Sequence, residues 1–174
     1  PLDFSPLSQM ALETAAVLAG GRPDVTLRLV HVVNHGCLNL DSRIESATAQ
    51  LNRVRPGISC AARVESRVTS GWPTLKLREA CDDGEVSLVV MSSHGRTGLA
   101  RMIMGSVAER LMEDAPVSVL VVKPRLDKQG RLVPAVPTFR HLIVGYNHSE
   151  GAERALTLAQ GVANWRVDRK LPVN

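Results

Sequence analysis

Val86-Ser87-Leu88-Val89-Val90-Met91 runs into Ser92-Ser93-His94-Gly95, and beyond Met104 a new pattern begins at Gly105-Ser106-Val107-Ala108-Glu109-Arg110. The first run is short, apolar and rich in β-branched residues, as a strand covered on both faces must be. The last puts Val107, Ala108, Leu111 and Met112 on one side of a helix. Strand, glycine-containing loop and helix in succession form the unit of parallel α/β proteins, whose ligands bind outside the carboxyl ends of the strands.

The same alternation extends in both directions. Val25 to Val33 and Val117 to Val122 read as further buried strands, and Ile58 to Val68 as an alternating one. Between them, Leu7, Met10, Ala11, Thr14, Ala15 and Leu18 mark one helical face. Leu75, Leu77, Ala80 and Cys81 suggest a shorter helix, and Asp41 to Arg55 another that stops before Pro56-Gly57. Strands separated by helices imply βαβ crossovers, hence a parallel sheet with helices on both faces.

The composition fits one ordinary domain and little more. Among 174 residues, 44% are hydrophobic and 22% charged, which excludes a disordered or fibrous chain. The net charge of +4 comes from dispersed Lys and Arg, and aromatics are only 3%, so a nucleic-acid surface is not expected. No apolar run approaches the ~20 residues of a bilayer span. Cys37, Cys60 and Cys81 are odd in number and widely spaced, without a CxxC, so neither a disulfide framework nor a zinc site is indicated. The start, Pro1-Leu2-Asp3-Phe4-Ser5, carries no signal-peptide pattern, and the expected address is the cytoplasm.

After Lys123-Pro124, residues 125–138 are polar and interrupted by Pro134 and Pro137, the signature of a linker. Phe139 to Ser149 then reads as a strand ending in a turn, and Glu150 to Ala159 as a helix. Beside Pro1 to Leu12 the two share a strand end, a Ser at the turn and an Ala-Leu helix face, an internal repeat begun and not finished. The expected organisation is a domain over 1–124 with its first strand cut short, a linker over 125–138, and the incomplete start of a second copy over 139–174.

The loop between Met91 and Arg110 carries the chemistry. Glycines let backbone approach a phosphate, and unpaired amides at a helix start can donate to anionic oxygens. Ser106, with Glu109 three residues on, matches a capping box, so it can cap the helix or offer its hydroxyl to a phosphate. Arg96 and Arg101 can pair with phosphate or simply face water. His94 has no adjacent carboxylate or nucleophile and reads as structural.

Met91 to Pro124 resembles the universal stress proteins, whose signature is Gly, two residues, Gly, nine residues, Gly, then Ser or Thr. Gly95, the segment Arg96 to Met104, and Gly105-Ser106 reproduce the later part, while Ser92 stands where the first Gly belongs. Ala115 to Val122 matches the family's closing strand. The resemblance implies a Rossmann-like, adenine nucleotide alpha hydrolase-like fold with an open, twisted, parallel five-stranded sheet. It also implies an adenine-nucleotide site for ATP with Mg2+, formed by Pro1, Leu2, Asp3, Val32, Met91, Ser92, Gly95, Arg96, Gly105, Ser106 and Val107. Asp3 falls where the family's acidic residue lies against the adenine, and Val32 where it lines that pocket. The start of a second module makes the chain resemble tandem members, with Val117 to Val122 pairing across a homodimer or within the tandem. No nucleophile, carboxylate pair or P-loop is present, so the first reading is a stress-response nucleotide binder with slow turnover or none. The second is a member that holds no ATP and acts through protein contacts and dimerisation, which Ser92 favours.

Overall fold

The computed structural model describes residues 1–20, 22–36, 38–58, 63–94, 104–129, 132–133 and 142–168. Two compact units divide the chain, Pro1–Val136 and Pro137–Asn174.

The first unit opens with α1 (Pro6–Ala19), β1 (Thr26–Val33), α2 (Leu40–Val54) and a 3-10 turn (Arg55–Gly57), followed by β2 (Arg63–Ser70) and α3 (Pro73–Glu79). It continues with β3 (Leu88–Ser92), α4 (Ser106–Asp114), β4 (Ser118–Val122), β5 (Arg125–Leu126) and β6 (Leu132–Val133). β1 and β2 are parallel, in register from Thr26 with Arg63 to Val33 with Ser70. β3 and β4 are parallel, from Leu88 with Ser118 to Ser92 with Val122. Each pair is joined through a helix, as a parallel connection requires.

Alternation along β1 sends successive side chains to opposite faces. Val30 and Val32 join Val89 and Met91 of β3, Val119 and Val121 of β4, Leu77 of α3 and Leu111 of α4 in one core. Leu27 and Leu29 join Val64 and Val68 of β2, Leu12 of α1 and Leu51 of α2 in the other. Helices therefore cover both faces of the strands. Pro1 to Asp3 run beside β1, where the Leu2 amide donates to the Val30 carbonyl at 2.8 Å, and the Leu2 side chain enters the second core.

Arg28 fastens the start of β1 to the turn before β3. Its guanidinium donates to Asp83 and, at 2.7 Å, to Glu85, with Glu65 of β2 at 3.9 Å. The Asp83 hydrogen bond comes first in raising the Arg28 pKa, and Arg28 in turn holds the Asp83 carboxyl below its ordinary 3.8.

Two strand expectations need correction, those over Ile58–Val68 and Phe139–Ser149. The strand read from Ile58 starts at Arg63 instead: Ile58 closes the 3-10 turn, its amide donating to the Arg55 carbonyl at 3.2 Å, and 59–62 lie outside the described residues. Apolar alternation could not separate them, because Ile58 packs on the second core without being in a strand. The stretch read as linker contains a two-residue antiparallel pairing, β5 with β6. Residues 142–147 form no strand, since no described residue pairs with their backbone, and Ile143 is 98% exposed. Among the described residues the parallel strands form two pairs rather than one continuous ladder.

In the second unit the helix read from Glu150 is α5 (Glu150–Asp168). The Ala152 amide donates to Ser149 Oγ at 3.2 Å, so Ser149 caps it.

Candidate functional site

Two short hydrogen bonds build the frame. The Ser93 amide donates to the Val122 carbonyl at 3.0 Å, carrying the β3–β4 pairing one residue beyond β3. The Ser93 carbonyl accepts from the Gly105 amide at 2.8 Å, which pins the start of α4 against the end of the strand. Gly105 is the N-cap of α4, extended at φ −67° and ψ 143°, and Glu109 donates back to its carbonyl at 3.0 Å. The amides of Ser106, Val107 and Ala108 precede that bond and have no acceptor within the helix.

This geometry corrects the capping expectation. Gly105 takes the N-cap position, and Ser106 is the first helical residue and is exposed. An exposed hydroxyl and three amides at the positive end of a helix form a donor set for an anion.

The neighbouring polar groups are committed. Ser92 Oγ donates to the His94 carbonyl at 2.7 Å, so the side chain standing in place of the motif glycine is folded onto its own backbone. Ser93 Oγ lies 3.0 Å from His94 Nδ1. His94 Nε2, by contrast, is shielded from solvent and has no hydrogen-bond partner among the described residues. Residue spacing carries no sign of this, because an orphaned nitrogen is a property of packing.

Asp3 belongs to a tight corner. Its Oδ1 accepts from the Ser5 amide at 3.0 Å and from Ser5 Oγ at 2.6 Å, while Ser5 Oγ accepts from the Ser8 amide at 3.2 Å and caps α1. Between them Phe4 takes the left-handed φ of 64°, and its ring sits 4.5 Å from that of His31, whose Nδ1 is 2.7 Å from the Leu2 carbonyl.

Of the expected site residues, the structure gathers Val32, Met91 and Val107 in the first core and links Ser92 to Gly105 through Ser93. Leu2 belongs to the second core, and Pro1 and Asp3 flank it. Gly95 and Arg96, with Arg101, lie outside the described residues. A cavity of about 250 Å³ lies elsewhere, lined by Leu2, Phe4, Ser8, Gln9, Gln50, Arg53 and Val54. It shares only Leu2 with the expected site, and the helix start is the better candidate because donors converge there. Among the described residues no group of three or more His, Cys, Asp or Glu could hold a metal, and no helix is long and apolar enough to cross a membrane.

Comparison with known proteins bears on this frame. Universal stress protein MJ0531 of Methanocaldococcus jannaschii is 38% identical over 61 residues, covering 35% of this chain and 36% of its own length. The match therefore spans little more than a third of that curated relative. The solved structure of the hypothetical protein MJ0577 superposes with a TM-score of 0.66 at 23% identity, over 72% of this chain and 93% of that one. A universal stress protein solved in complex with cAMP superposes at 0.54, with 23% identity, over 70% and 91%. Both share the fold. The sequence model of the Universal stress protein family matches residues 1–123, which take in the corner, both parallel pairs and the pinned helix start, and the chain accordingly belongs to that family.

Proposed function

We propose that this chain is an adenine-nucleotide binder of the stress response, taking ATP with Mg2+ and turning it over slowly or not at all. The observation that carries the reading is the Ser93–Gly105 hydrogen bond, which holds the unpaired amides and exposed hydroxyl of the α4 start at the end of β3. The proposed contacts are Gly95, Arg96, Gly105, Ser106 and Val107 for the phosphates, with Met91 and Ser92 beneath them. Pro1, Leu2, Asp3 and Val32 would lie on the adenine side. The residues fit an anionic group, since among the described residues nothing accepts from the Ser106, Val107 and Ala108 amides. Mg2+ would be held by the phosphates, because the described residues offer no metal cluster of their own. A universal stress protein of the same fold has been solved in complex with cAMP, itself an adenine nucleotide, which supports the class of ligand.

The fold reading extends likewise. Leu2, paired to Val30, would supply the middle of a five-stranded sheet between the two parallel pairs. A tandem organisation is supported by a repeated corner. Asn147 Oδ1 accepts from the Ser149 amide at 3.2 Å as Asp3 does from Ser5, and Ala152 donates to Ser149 as Ser8 does to Ser5. His148 has φ 59° where Phe4 has 64°. The domain over 1–124, the linker over 125–138 and the second copy from 139 follow from this reading. β4 would pair across a homodimer or within the tandem, and the protein would work in the cytoplasm.

The test is to denature the purified protein and assay released small molecules for adenine nucleotide, then add ATP to the emptied protein. A ligand at a hundred times its Kd stabilises by about 2.7 kcal/mol, so a clear rise in melting temperature is expected, and Gly105→Val should abolish it. No released nucleotide and no rise would leave the second reading, a member acting through protein contacts, which the folded-back Ser92 hydroxyl favours.

A further inference from the structure

The cavity of about 250 Å³ beside the Pro1–Ser5 corner shares only Leu2 with the proposed nucleotide site. Its walls are apolar: the buried Leu2, the ring of Phe4, and Val54, the last residue of α2. They are also fixed. Phe4 holds the left-handed φ of 64° with its ring 4.5 Å from that of His31, and the Leu2 amide is tied to the Val30 carbonyl. A concave, apolar, already formed surface with a few polar groups is what small-molecule sites share.

Those polar groups decide what the cavity can hold. Ser8 Oγ is spent on the Ser5 carbonyl. Gln50 Nε2 donates to Ser46 Oγ at 3.4 Å, and the Gln9 side chain makes no hydrogen bond among the described residues. Arg53 is exposed and, unlike Arg28 and Arg63, pairs with no carboxylate among the described residues. A guanidinium matches a planar carboxylate through two parallel hydrogen bonds, and no acidic residue lines the cavity to compete for it. Volume sets the rest. An apolar cavity of about 150 Å³ holds benzene, so this one has room for a single ring and a short acidic arm, with the Phe4 ring as an aromatic wall.

We infer that this cavity binds a small aromatic monocarboxylate, its ring against Leu2, Phe4 and Val54 and its carboxylate on Arg53 at the rim. The inference is independent of the nucleotide reading, and the failure of either leaves the other standing. The probe is phenylacetate, with phenylacetamide as its neutral match in shape and acetate as the acid without a ring. The full chain, wild type, Arg53→Gln and Val54→Phe, would be titrated with each while 1H–13C spectra follow the methyl groups of Leu2 and Val54.

Wild type should bind phenylacetate in the millimolar range with the Leu2 and Val54 resonances moving, and acetate should move neither. Phenylacetamide should bind roughly threefold to fivefold more weakly, the worth of an ion pair at a rim open to water. Arg53→Gln should bring phenylacetate down to the level of phenylacetamide, and Val54→Phe, which fills the cavity, should abolish binding of both. Unmoved Leu2 and Val54 resonances in the wild type overturn the inference. So does equal affinity for phenylacetate and phenylacetamide, or an affinity unchanged in Arg53→Gln, since either leaves the guanidinium without a role. If Val54→Phe fails to fold, the wild-type methyl spectra and the exposed change Arg53→Gln decide.

Discussion

Ser5 and Gly71 show how much single positions carry here. Ser5 is buried, its hydroxyl accepts from the Ser8 amide and donates to Asp3, and it opens α1 just ahead of Pro6, a residue suited to the first helical position. Ser5→Ala removes the cap and the hydroxyl hydrogen bond to Asp3 while leaving the backbone amide bond to it, and should cost about 1 kcal/mol, within a range of roughly 0.5–2, read as a lower midpoint of urea unfolding. Gly71 sits at φ 143°, donating to the Val33 carbonyl at 2.9 Å as the β1–β2 pairing ends. A Cβ there would come within 2.9 Å of Lys76 Cε, the far end of a flexible side chain that can swing aside, so the backbone sets the penalty. Gly71→Ala should destabilise by about 1–3 kcal/mol, in the same urea experiment. At this scale part of the candidate site was legible in one dimension. The glycines and Ser106 stand out by spacing, but which residue caps α4, and that His94 keeps an unmatched nitrogen, depend on hydrogen bonds that no spacing encodes.

Elements were more legible than residues, for a physical reason. β1, β3 and β4 are apolar on both faces because α1 and α2 cover one side and α3 and α4 the other, and such runs are visible in one dimension. The start of β2 and residues 142–147 were less legible because strand formation depends on a backbone partner, which apolarity does not supply. The helices hold their places through a few wholly buried side chains. Leu111 on α4 is 1% exposed, and Leu111→Ala should cost about 2–5 kcal/mol, measurable by urea unfolding, loosening the helix that bears the proposed anion donors. The Arg28 clamp offers a pH test. Its partner Asp83 has its pKa depressed below 3.8, so the stabilisation is present above about pH 4 and is lost as pH falls through the lower folded value. Arg28→Gln should therefore be less stable than the wild type at neutral pH, with the gap closing below pH 4 and narrowing in high salt.

For the whole molecule, both cores draw, among the described residues, on side chains between Leu2 and Val121. A fragment of residues 1–136 should unfold in one cooperative transition, with coincident near- and far-ultraviolet circular dichroism curves. Cys81 lies in the first core, where burial comes first in raising its pKa above the ordinary 9.0. A raised thiol pKa favours the neutral form, so that contribution holds below pH 9 and is lost as pH climbs through the folded value. In native protein at pH 8, peptide mapping after brief iodoacetamide treatment should find Cys81 little modified, and fully modified in urea.

The Ser93–Gly105 bond also bears on how this fold can change. Because strand end and helix start are fastened to each other, the chain between them begins and ends at a set separation whatever its length. Lengthening such a loop is cheap, about 0.6 kcal/mol for each doubling. Insertions there would leave α4 and its amides where they are while altering what is presented above them, so ligand preference can diversify at that point without the scaffold being refolded.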